Sequence, residues 1–89
     1  MLKVRVSNMI GFNGNAVRNQ FEIDTDDGIY FQSYSTVIAC KRDGEVILDP
    51  EWDYSVTTTK YLSKFLRTSS KREIEAKIKS GEYTIEGLN

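Results

Sequence analysis

Eighty-nine residues, 39% of them hydrophobic, are enough for one core and too few for a second domain. Twelve basic against thirteen acidic side chains leave a formal net charge of −1, which excludes bulk coating of nucleic acid or an acidic mimic of it. Histidine is absent and Cys40 is the only cysteine, so no Cys/His metal site, internal disulfide or histidine acid–base chemistry can be assembled.

Leu2, Val4 and Val6 alternate with Lys3, Arg5 and Ser7, the period of a half-buried strand. Phe21 and Ile23 repeat that period among Gln20, Glu22 and Asp24. Asn13-Gly14 between them suits a two-residue type I′ turn, which sets Val6 opposite Phe21 and Val4 opposite Ile23. Asp26-Asp27-Gly28 is expected to form a three-residue loop with Gly28 left-handed, pairing Ile23 with Phe31 and Thr25 with Ile29. A two-residue Asp27-Gly28 loop would pair Ile23 with Gln32 instead, and the first setting is preferred. A third hairpin turns at Asp43-Gly44 between strands at 36–41 and 45–49, placing Cys40 opposite Ile47 and Ala39 opposite Leu48.

Pro50 ends strand pairing, and after 51–54 the apolar period becomes helical. Tyr61, Leu62, Phe65 and Leu66 form one face of a first helix capped by Ser55 or Thr57. Ser70-Lys71-Arg72-Glu73 is a capping box for a second helix, with Ile74 and Ile78 inward, Glu73/Lys77 and Glu75/Lys79 at i,i+4 spacing, and Gly81 as its C-terminal cap. The segment 83–88 alternates again and suits a short sixth strand. The expectation is a single α+β domain over 1–89: a curled antiparallel sheet of five to six strands with two short C-terminal helices packed on one face. Its predicted core is Val4, Val6, Phe21, Ile23, Phe31, Ile47, Leu62, Phe65, Ile74 and Ile78.

The residue patterns point to binding rather than catalysis, with no cofactor or metal. No Gly-Lys-Ser/Thr phosphate cradle occurs, and Cys40 sits in an apolar strand pattern with no histidine to activate it. Glu22, Asp24, Asp26 and Asp27 lack EF-hand spacing, and the last two have a loop to form. The longest apolar runs, at 36–40 and 46–48, are too short to cross a bilayer, and the alternating N-terminus does not resemble a signal peptide, so an intracellular protein without a membrane partner is expected.

Two features are candidates for partner binding. Tyr30, Gln32, Tyr34, Trp52 and Tyr54 belong to the densest aromatic region and are of the types enriched at interface hot spots, although a tryptophan just before a helix commonly plugs the end of a sheet. Lys60, Lys64 and Arg67 form a stripe along the first helix that either is simply solvated or meets phosphates or an acidic protein surface. The stripe belongs to a basic C-terminal part: residues 1–54 carry five basic and nine acidic side chains, residues 55–89 seven and four.

Asn19-Gln20-Phe21, Tyr30-Phe31-Gln32-Ser33-Tyr34, Trp52-Asp53-Tyr54-Ser55, Thr58-Thr59-Lys60-Tyr61 and 77–83 together resemble a family of small uncharacterised proteins common in tailed bacteriophages and mobile elements. The resemblance implies a phage gene expressed in the bacterial host cytoplasm. It also implies an accessory protein that binds a host or defence protein stoichiometrically, as an inhibitor or modulator. A nucleic-acid binder using the first helix, or a small structural or ligand-binding phage protein, are the alternatives. It transfers no site residues.

Overall fold

The structure, a computed structural model, describes residues 3–68 and 70–89; Leu2 of the first strand pattern lies outside the described residues. The elements are β1 (Val4–Ile10), β2 (Ala16–Thr25), β3 (Ile29–Ser33), β4 (Thr36–Arg42), β5 (Glu45–Leu48), α1 (Val56–Leu66), α2 (Lys71–Ser80) and β6 (Tyr83–Ile85). They form an α+β fold whose single open sheet has the order β1-β2-β3-β4-β5-β6. Pairings from β1 to β5 are antiparallel, each closed by a short turn. β6 pairs parallel to β5, because the chain crosses over through both helices before it returns, so the sheet is mixed rather than wholly antiparallel. Overall extents of 34 × 34 × 20 Å match two layers, one of strands and one of helices.

The Asp43-Gly44 turn forms as expected, with both residues at positive φ (52° and 78°), pairing Cys40 with Ile47 and Ala39 with Leu48. The other two hairpins differ. The first loop holds three residues, Phe12-Asn13-Gly14, with Gly14 left-handed at φ 85° and the Gly11 N–H donating to the Asn15 carbonyl at 2.7 Å. This loop and an irregularity opposite Met9 shift the register by two, so Val6 faces Ile23 and Asn8 faces Phe21.

The second loop is shorter than expected. Thr25 and Gly28 exchange backbone hydrogen bonds of 2.9 and 3.3 Å around Asp26-Asp27, while the Thr25 hydroxyl accepts from the Asp27 and Gly28 N–H groups. Gly28 lies so close to β4 that an added Cβ would stand 2.5 Å from the Lys41 carbonyl oxygen. Ile23 therefore pairs with Tyr30, not with Phe31 or Gln32, and Phe31 pairs with Glu22. A one-residue change of register reverses faces. Phe31 points to the helices, and Phe21 and Ile23 point away from them.

The core lies between the helices and β3–β6. Phe31, Ile38, Ala39, Leu48, Trp52, Tyr61, Leu62, Phe65, Leu66, Ile74 and Tyr83 are buried members, and Met9 joins them from β1. A bulge in β4 sets one extra residue opposite β3, and both Ile38 and Ala39 join the core there. Of the predicted core, Phe31, Ile47, Leu62, Phe65 and Ile74 are buried. Val4 and Val6 are instead 59% and 58% exposed, and Phe21, Ile23 and Ile78 are half-buried. The register explains the first four of these departures, since the apolar side of β1 and β2 is not the side the helices cover.

Ser55 caps α1 by accepting from Thr58 N at 3.0 Å, and the Thr58 hydroxyl shares a 3.0 Å hydrogen bond with Ser33, which fastens the helix start to β3. Farther along α1, the Phe65 ring stacks on Phe31 at 5.7 Å, with the Lys41 ammonium 4.4 Å from its centroid. Ser70 caps α2, Gly81 ends it at φ 87°, and Lys77 pairs with Glu73 at 3.6 Å. Asp49, 5% exposed, accepts from Leu88 N, Asn89 Nδ2 and Glu51 N, tying the end of the chain to β5.

Phe65→Ala should lower the unfolding free energy by about 3–5 kcal/mol, and Val6→Ala by less than about 1 kcal/mol, in urea titrations. Burial works against ionisation of Asp49, but its three N–H donors outweigh burial and hold its pKa below the ordinary carboxylate value. Its contribution is therefore present above the unfolded-state pKa and is lost as pH falls through the folded-state pKa. Asp49→Asn should be less stable than the parent at neutral pH, and the gap should narrow as urea midpoints are followed into acid.

Candidate functional site

The sheet face turned away from the helices carries one row across all six strands: Val6, Ile23, Tyr30, Cys40, Ile47 and Thr84. A neighbouring row runs through Asn8, Phe21, Gln32 and Val37. No side chain in either row is charged. Cys40 and Ile47 are shielded within the sheet, whereas Val4 and Val6, on the outermost strand, face solvent. A hydrogen bond to the Cys40 thiol and then partial burial push the Tyr30 phenol above its ordinary pKa. Gln32 donates to the Tyr34 carbonyl at 2.7 Å.

The eight predicted partner-binding residues do not form one surface. Tyr30 and Gln32 lie on the open sheet face. Tyr34, in the β3–β4 turn at φ 55°, is 57% exposed, and Tyr54 is 48% exposed with its hydroxyl 3.5 Å from the Ser33 Oγ. Trp52 leaves the candidate set: it is 8% exposed and belongs to the core, with Lys71 lying over its ring at 6.0 Å. Its position just before α1 makes it the plug between sheet and helices.

Lys60, Lys64 and Arg67 lie along α1 on the helix side of the molecule. Two residues absent from the expected set join them. Phe12, at the tip of the β1–β2 loop and 70% exposed, has the Lys60 and Lys64 ammoniums 5.1 and 4.8 Å from its ring centroid. Lys64 also donates to the Ile10 carbonyl. Lys41 lines a groove with Lys64, Arg67 and Glu22; burial, then the Arg67 charge, draw its ammonium below the ordinary lysine pKa, with Glu22 opposing. Neither residue had a local signal, since Phe12 meets α1 only through tertiary folding and Lys41 continues an ordinary strand alternation.

Among the described residues, no group of three Asp, Glu, Cys or His side chains gathers as a metal-holding cluster, and no helix is long and apolar enough to cross a membrane. Fold and surfaces together define a two-layer α+β domain with helices on one side of an open mixed sheet and, on the other, a face whose β1–β2 end is apolar and exposed at Val4 and Val6. The chain belongs to a family of unknown function (DUF8033), whose sequence profile matches residues 4–81. No curated protein and no solved structure matches it significantly.

Trp52→Ala should cost about 3–5 kcal/mol of stability as a core deletion, while Tyr34→Ala should stay within about 0.5 kcal/mol. Thermal melts of the two variants distinguish the buried ring from the exposed one.

Proposed function

We propose that this protein works by stoichiometric binding of another protein through the open face of its sheet. The carrying observation is the β1–β2 end of that face, where Val4 and Val6 are more than half exposed beside half-buried Phe21 and Ile23. Exposed apolar surface beside half-buried aromatic residues is characteristic of protein interfaces. Phe21 and Tyr30 are aromatic members of this face, and aromatic side chains commonly anchor binding energy. The β1–β2 part of this face, Val4, Val6, Phe21 and Ile23, is apolar and suits a neutral, apolar protein surface. In keeping with the phage resemblance, the partner is a host or defence protein of the bacterial cytoplasm, and binding inhibits or modulates it.

The test is capture from host extract with and without nuclease, using Val4→Glu/Val6→Glu and Lys60→Gln/Lys64→Gln/Arg67→Gln variants, followed by reconstitution of the purified pair. The expected result is a nuclease-resistant complex lost in the valine variant and kept in the helix variant. A complex that survives the valine substitutions, or a parent protein that uses this face only to pair with itself in sedimentation, contradicts the proposal.

A further inference from the structure

Phe12, 70% exposed, is the most exposed aromatic side chain among the described residues, and the fold holds it there rather than leaving it loose. Its loop is braced by Gly11 N to the Asn15 carbonyl, Gly14 N to the Gly11 carbonyl at 3.0 Å, and Asn15 N to the Asn13 Oδ1 at 3.0 Å. The ring leans on Tyr61, centroids 6.3 Å apart and planes 32° apart, and the Lys60 and Lys64 ammoniums approach it. Asn13 and Asn15 line the cleft beside the ring. From Lys64 the positive surface continues into the groove of Lys41 and Arg67, where Glu22 is the one carboxylate among the lining residues.

We propose that this cluster, with Phe12 as a stacking platform and Lys60, Lys64, Arg67 and Lys41 along a backbone track, binds single-stranded nucleic acid. An exposed ring flanked by cations is the arrangement that holds an unstacked base and its phosphates together. Along α1, Lys60 to Lys64 rises about 6 Å and Lys64 to Arg67 about 4.5 Å, which sets the cations in file beside the ring. The Asn13 and Asn15 amides supply donors and acceptors to base edges. A duplex keeps its bases stacked and gives Phe12 nothing to meet, and four cations are few for coating one. An acidic peptide would use the lysines but not the ring. This surface lies on the helix side and stands independently of the open sheet face.

The experiment is fluorescence anisotropy with a labelled oligothymidylate, a duplex of the same length, and oligoglutamate as competitor, at low and moderate salt. Single strands should bind more tightly than the duplex and resist oligoglutamate. Phe12→Leu, which keeps apolar bulk, should weaken single-strand binding roughly 5- to 100-fold, and Phe12→Trp should preserve it. Lys60→Gln/Lys64→Gln should flatten the log–log salt slope by about 1.4. Val6→Glu should change nothing, which separates this site from the sheet face. Absence of single-strand binding at low salt, duplex binding of equal strength, displacement by oligoglutamate at matched charge, or full binding by Phe12→Leu would each overturn the proposal.

Discussion

The turn at Asp26-Asp27 decides what the two sides of this molecule are. With Thr25 and Gly28 closing a two-residue loop, Glu22 rather than Ile23 stands beside Phe31. A strand's side chains alternate, so that single choice sends the apolar residues of β2, and of β1 paired to it, to the side without helices. Gly28 secures the choice, because only a residue without a side chain fits against the Lys41 carbonyl.

Two helices of 11 and 10 residues cover only part of a six-stranded sheet. Over β3–β6 they bury Phe31, Ala39, Leu48 and Tyr83. On the same side of β1 and β2 the register aligns Arg5 with Asp24 and Ser7 with Glu22, residues suited to water or to a charged ligand. The opposite side there shows Val4, Val6, Phe21 and Ile23. The domain thus carries a polar, partly cationic groove under the end of α1 and an apolar sheet face behind it, one from each phase of the same two strands.

Much of the fold could be read directly from local chemistry. Asp43-Gly44, Ser55, Ser70 and Gly81 sit where turn and cap stereochemistry demands them, and the helical stripe Tyr61, Leu62, Phe65 and Leu66 is buried as its period requires. The failures share a cause. Asp26-Asp27-Gly28 accepts several loop settings of nearly equal local merit, and an alternating strand carries no mark of which side faces the helices. The contacts that decide, Gly28 against Lys41 and the extra β4 residue that brings Ile38 inward, are made between strands and leave no mark on the pattern within either one. The candidate surfaces show the same limit: the α1 stripe was visible as a periodic pattern, but Phe12 joins it only because a three-residue loop ends beside Lys60 and Lys64.

The central claim is that β1 presents its apolar residues to solvent on the sheet face turned away from the helices. Thiol labelling of a Val6→Cys variant tests it directly, with the native Cys40, 0% exposed on the same row, as the internal reference. The thiol at position 6 should react at nearly the rate of an unstructured cysteine while Cys40 waits for unfolding. Equal protection of both thiols in the free protein would mean that this face is covered and that the register drawn from the Asp26-Asp27 turn is wrong.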